Sequence, residues 1–335
     1  MKNKTIFLTI LLIAALIIAS CDGGSSDQTA GKTAVGAQGK AFIGGEVGLE
    51  GVFLTGAPPV EVFDNNYPFD INLKIENKGE FDIKANEAIV EIVGIQPEDF
   101  KTTRQALNKT LTEDLVGSKL DSQGNSIAGT ITNLEFANLE YNKNITGSYL
   151  FPLRANICYG YGTKAVAQLC ILSDLTGKTR KTGEESLCEP TSTNIDVQNS
   201  GAPVHITNFA QSVTGTNKIS FSFNIAHKGG KDNRVSEKGS RCDPQPAKKD
   251  KIYVTVDVGG LDISCSGLRD SVVAESKTEG FVKLFGESSG SEERAVYCTL
   301  TLPLERTDFK KQVNIGLTYD YKQFVNTEVL VKHIE

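Results

Sequence analysis

The 335-residue chain has no tryptophan, one methionine and only three histidines, His205, His227 and His333. A metalloprotease needs two histidines one helical turn apart, and these three are scattered, so that chemistry is excluded. Cysteine does not supply a zinc site instead, because no two of the six cysteines after Cys21 lie within five residues of each other. No serine nucleophile is read at a strand-to-helix turn. The net charge of −6 gives no footprint for a nucleic-acid partner. With so little methionine and so much glycine, serine, threonine and asparagine, the composition suits polar-faced β-structure and leaves little room for long helices.

What is present begins with Lys2 and Lys4, an apolar core from Ile6 to Ile18, and the small residues Ala19 and Ser20 before Cys21. That is the three-part layout of an export signal, and the apolar stretch falls short of the roughly 20 residues a spanning helix needs. Ile18, Ala19, Ser20 and Cys21 resemble the lipobox of prokaryotic lipoproteins, which implies a diacylglycerol on the Cys21 thiol. From Cys21 to about Lys40 the chain is rich in Gly, Ser, Ala and Thr without apolar periodicity, as in a flexible tether about 25 Å in rms length.

An internal repeat organises the remainder. Phe69, Ile71, Leu73 and Ile75 alternate with polar residues up to Asn77, Lys78 and Gly79; Ile219, Phe221, Phe223 and Ile225 do the same up to His227, Lys228 and Gly229. Tyr159 and Tyr161 recur as Tyr319 and Tyr321, each pair closing an alternating strand, and Gly56-Ala57-Pro58 recurs as Gly201-Ala202-Pro203. The expectation is an all-β chain of two tandem immunoglobulin-like antiparallel sandwiches. Its boundaries are a lipoprotein signal peptide over 1–20, a tether over 21–44, a first sandwich over 45–197 and a second over 198–335. Phe100, Leu107, Leu111 and Leu115 recur at roughly helical spacing, which predicts one short helix within Pro97 to Gly117.

Setting Cys21 aside leaves Cys158, Cys170, Cys188, Cys242, Cys265 and Cys298, an even number suited to disulfides in an exported protein. Strand phase pairs Cys265 with Cys298. Cys158 and Cys170 share the opposite phase from their apolar neighbours on either side of a turn near Gly162 to Lys164, which predicts a cross-hairpin bridge and leaves Cys188 for Cys242. Asn108 and Asn144 begin N-glycosylation sequons. The histidines read as solvated polar residues. No metal, cofactor or catalytic residue is assigned.

The lipobox, the paired repeats and the segments Cys158-Tyr-Gly-Tyr, Gly201-Ala-Pro-Val204 and Val258-Gly-Gly-Leu-Asp-Ile-Ser-Cys265 resemble a group of archaeal secreted surface proteins with tandem immunoglobulin-like domains. The resemblance implies place and fold, not a reaction. It points to a lipid-anchored protein facing outward, with the membrane and other envelope or surface proteins as partners, in a structural, adhesive or assembly role. The alternatives are a ligand-binding or accessory subunit of a membrane transport or secretion complex and, behind it, an extracytoplasmic hydrolase.

Overall fold

The computed structural model describes residues 39–64, 67–177, 185–285 and 292–333. The first copy of the repeat forms β1 (Leu49–Phe53), β2 (Glu61–Phe63), β3 (Phe69–Asn77), β4 (Ala88–Val93), β5 (Asn108–Thr110), β6 (Lys119–Leu120), β7 (Ser126–Ile127), β8 (Ile131–Leu139) and β9 (Ser148–Ile171). The second forms β10 (Ser192–Ile195), β11 (Gln198–Asn199), β12 (Val204–Gly215), β13 (Lys218–His227), β14 (Arg234–Ser236), β15 (Lys251–Asp257), β16 (Asp262–Ser266), β17 (Glu279–Lys283), β18 (Glu293–Thr301) and β19 (Phe309–Lys332). Alternation decides the strands: in β3 and β13 the even spacing of Ile, Leu and Phe buries one face while Asp70, Lys74, Ser220 and Ser222 take the other.

The all-β, antiparallel layered architecture expected from the sequence is present. The repeat is embodied in a different way from two separate tandem sandwiches. β9 and β19, 24 residues each, pair antiparallel along their whole length, Ser148 opposite Lys332 and Ile171 opposite Phe309. Around them one sheet runs β17-β15-β19-β9-β4-β5, with β11 on β9 and with β14 and β2 on β19. The position chosen as a boundary, residue 198, opens β11, which is hydrogen-bonded into this shared sheet through Gln198 and Val166. Residues Lys40–Glu335 form one compact unit.

Two smaller sheets, β1-β3-β8 and β10-β12-β13-β18-β16, cover the face of the shared sheet that carries the odd-numbered side chains of β9 and β19. On it Leu153, Ala155, Ile157, Leu169, Val313, Ile315, Leu317, Val329 and Val331 are all buried, in one continuous core. The copies are related by a pseudo-two-fold axis normal to the sheet. Along β9 and β19, residues 160 positions apart are repeat-equivalent, and Gly160 is paired with Asp320, so the axis passes between those two.

This arrangement corrects several sequence expectations. Gly162 to Lys164 do not form a turn; they lie inside β9, and a side chain at 162 would meet the Phe81 ring at 2.5 Å. Cys158 and Cys170 therefore sit twelve residues apart on one extended strand, about 40 Å at the rise of a β-strand, and cannot be bridged. The bonds are Cys158–Cys242, Cys170–Cys188 and Cys265–Cys298, so only the last of the three expected pairings stands. The predicted helix is a single 3-10 turn, Pro97–Phe100; Phe100, Leu107, Leu111 and Leu115 are buried, but from a turn and irregular chain around the edge strand β5. The two Gly-Ala-Pro segments are not equivalent. One follows β1 and the other precedes β12, although β1 and β12 are themselves twins: Leu49 pairs with Asn77 as Val204 pairs with His227.

Candidate functional site at the pseudo-dyad

The axis gathers four tyrosines. Tyr159 pairs with Tyr321 and Tyr161 with Tyr319, and all four are buried on the covered face. Adjacent rings lie 5.5 to 6.5 Å apart between centroids, two pairs edge to face, the arrangement that aromatic quadrupoles favour, and two tilted. Burial pushes each phenol up from its ordinary value, so all four are neutral hydroxyls that must find hydrogen-bond partners. The Tyr159 hydroxyl accepts from Leu49 N–H at 3.1 Å. The Tyr319 hydroxyl meets Thr163 Oγ1 at 3.1 Å, and Thr163 donates to Val204 O at 2.6 Å. Tyr159 thus docks β1 on the shared sheet directly, whereas Tyr319 reaches β12 through Thr163 of the other copy.

The other two tyrosines meet the ends of β3 and β13. Tyr161 Oη donates to Asn77 Oδ1 at 3.3 Å, and Tyr321 Oη lies 2.9 Å from His227 Nε2. Two residues further on, Gly79 and Gly229 leave room for these hydroxyls: a Cβ at Gly79 would fall 2.0 Å from Tyr161 Oη, and one at Gly229 would fall 1.8 Å from Tyr321 Oη. In both copies the turn is closed alike, Lys78 and Gly79 donating to Gly48 O, Lys228 and Gly229 to Pro203 O.

His227, expected at a solvated edge, is buried. Its Nδ1 lies 3.3 Å from Glu292 Oε2, and burial pushes its pKa down against the pull of that carboxylate. His205 is half-buried with Nε2 3.0 Å from Gly45 O, and burial lowers it too. Beside Tyr321 a groove of about 450 Å³ opens between β1 and the turn after β13, lined by Glu50, Val52, Lys228, Asn233, Gln323 and Phe324.

The opposite face at the axis is closed by the segment between β13 and β15. Cys242 is bonded to Cys158, two residues from the axis. Beside it the buried Asp320 carboxylate accepts from Gly239 N–H at 3.0 Å, Arg241 N–H at 2.7 Å and Ser240 Oγ at 3.2 Å. These bonds satisfy a charge that would otherwise be costly to bury.

Among the described residues no group of three or more His, Cys, Asp or Glu could hold a metal ion. Asn108, at the edge strand β5, and Asn144 are both exposed. Cys21 lies outside the described residues. So does Gly286-Glu287-Ser288-Ser289-Gly290, which does carry the glycine–serine–glycine spacing of a nucleophile elbow. The elements on either side of it are β17 and β18, whereas an elbow joins a strand to a helix.

Fold and site together define a disulfide-braced, all-β antiparallel sandwich with an internal repeat. No family model and no curated protein matches the chain. A solved structure similar to it is envelope protein VP37 of white spot syndrome virus, with 10% identity over 48% of this chain and 97% of that chain and a TM-score of 0.24; at that score the likeness carries no argument.

Proposed function

We propose that this chain is a lipid-anchored extracytoplasmic surface protein, of the secreted, lipobox-bearing kind that its sequence resembles, with a structural, adhesive or assembly role among other envelope proteins. The observation that carries the reading is the three disulfides, which suit an oxidising, extracellular compartment. They use six of the seven cysteines, and the seventh, Cys21, stands at the end of the signal-like segment. In this reading attachment is by a lipid on Cys21; among the described residues no helix is long and apolar enough to cross a membrane.

The role is structural or adhesive in this reading because the tyrosines, Asp320 and the bridges all serve to hold layers together, and none presents a reactive group to solvent. The test is the intact mass and membrane fractionation of the full chain beside a Cys21→Ala variant. The expected result is a mature N-terminus at Cys21 carrying a diacylglyceryl mass, lost in the variant together with membrane retention. An unmodified N-terminus with reduced thiols would overturn it.

A further inference from the structure

We infer that the outer face of the five-stranded sheet β10-β12-β13-β18-β16 is a binding site for a neutral saccharide. Strand register sets the central residues of this face in two cross-strand ranks, between a rank of Lys218, Thr301 and Asp262 and one of Asn224 and Ala295. Ser212, Ser220, Thr299 and Ser264 stand opposite one another in turn across β12, β13, β18 and β16. Ala210, Ser222, Tyr297 and Ser266 form the next rank. Every position except Ala210 carries a hydroxyl and none carries a charge, in a chain in which 23% of residues are charged. Neighbouring strands lie about 4.8 Å apart, so each rank is a row of groups about 14 Å long.

The face is concave. These ranks, with Thr191 and Thr193 beside them and the strands of Phe221, Cys265 and Cys298 behind, line a depression of about 520 Å³, room for a di- or trisaccharide. Tyr297 stands in its second rank 60% exposed, an aromatic ring offered to solvent in mid-sheet, where it can stack on the C–H face of a sugar.

The chemistry selects the ligand. The depression is lined by no carboxylate, Lys or Arg; charges enter this face beyond it, as with Lys218 and Asp262 in the rank of Thr301, so an ion seated in the depression itself meets no counter-charge there. An apolar ligand would strip water from the hydroxyls and leave them unsatisfied. Hydroxyls that both donate and accept are matched by a ligand with the same groups in series.

The site is also rigid, which matters where single contacts are weak. Buried Gln211 accepts from Cys170 N–H at 2.9 Å and donates to Cys170 O at 2.7 Å and Pro190 O at 3.0 Å. The Cys170–Cys188 bridge holds the same segment, and Cys265–Cys298 ties the two strands beneath Tyr297 and Ser266. Nor is the surface a general consequence of the fold. In the first copy the positions twinned with Ser220 and Ser222 are Asp70 and Asn72, followed by Lys74, with Glu135 opposite Asn72.

This would give the adhesive role above its ligand class, but the binding itself does not depend on the lipid anchor. The full chain, in detergent, is to be titrated by saturation-transfer NMR with cellotriose, mannotriose and N,N′,N″-triacetylchitotriose, with trigalacturonate as the anionic probe. Tyr297→Ala and Ser222→Glu, both at outward positions, run alongside with circular dichroism to establish folding. The expected result is saturation by at least one neutral trisaccharide, weakened tenfold or more in both variants, with no transfer to trigalacturonate. No transfer to any of the neutral trisaccharides, equal affinity in the folded variants, or preference for trigalacturonate would overturn the inference. A lipid mass on Cys21 in the same preparation would leave the anchor reading standing whichever result is obtained.

Discussion

The two copies of the repeat solve the same packing problem with different side chains. At the end of β3, Asn77 meets Tyr161; at the end of β13, His227 meets Tyr321. The outer face of β3 mixes charges, whereas that of β13 and its neighbours is a field of hydroxyls. The parts held in common, the tyrosines, the closing glycines and the two turn carbonyls, all lie at the axis. Divergence increases with distance from it. Duplication therefore constrains the joint strictly and leaves the outer sheets free to specialise.

The largest effect is expected at the bridge that ties the copies together. In the chain-entropy account, opening Cys158–Cys242, 84 residues apart, costs about 4.5 kcal/mol, against about 3 kcal/mol for Cys170–Cys188, 18 residues apart. Chemical denaturation of Cys158→Ser/Cys242→Ser beside Cys170→Ser/Cys188→Ser should rank them in that order. The reverse ranking would show that the strap across the axis contributes little.

Next come the twin glycines. At Gly79 the space for a Cβ is blocked by two backbone carbonyls, Gly201 O at 2.4 Å and Val47 O at 2.7 Å, besides Tyr161 Oη. At Gly229 the obstacles are Tyr321 and His227 side-chain atoms. Gly79→Ala should destabilise by about 3 kcal/mol or more and Gly229→Ala by about 1–2 kcal/mol, read from denaturation midpoints. Equal losses would remove this distinction between the copies.

The smallest effect is one of pH. Burial holds the folded pKa of His227 below its ordinary value of 6.5, so below that pH the unfolded chain binds the proton more readily and stability falls as pH is lowered. The groups around the ring are Glu292, Tyr321 and Arg234, and the cation opposes protonation. Substituting the twin's residue, His227→Asn, should leave stability at pH 8 little changed and flatten its decline between about pH 7 and 5. His205 contributes a slope of the same sign and Asp250, whose carboxyl burial raises, one of the opposite sign, so the difference between wild type and variant is the quantity to read.

Much of the frame was legible in the sequence. Period-two alternation located β3, β13 and stretches of β9 and β19, and the tyrosine pairs were legible as a repeat, though not as neighbours in the middle of two paired strands. The misreadings share one physical cause, that local signals do not report partners. Gly162 to Lys164 look like a turn, yet the lack of a side chain at Gly162 serves a close approach of Phe81 within a continuous strand. Once that strand is continuous, the Cys158–Cys170 pairing falls with the turn. Leu107, Leu111 and Leu115 imitate a helix because a winding edge segment also returns to the core every few residues. The hydroxyl face was hidden for a different reason: its residues come from four strands and become neighbours only through register.

The shared sheet is the centre of this account, and a cross-link tests it most directly. Arg154 and Asn326 face each other across β9 and β19, with Arg154 Nε donating to Asn326 Oδ1 at 2.9 Å. Even-numbered residues of β9 turn their backbone groups to the other neighbour, as Gly160 N–H does to Glu87 O, so this is a non-hydrogen-bonded pair, with Cα atoms about 4.5 Å apart. Arg154→Cys combined with Asn326→Cys should therefore oxidise to a fourth disulfide, seen by non-reducing peptide mapping together with the three native ones. Three native bridges beside two free thiols at those positions would contradict the pairing and return the chain to two separate sandwiches.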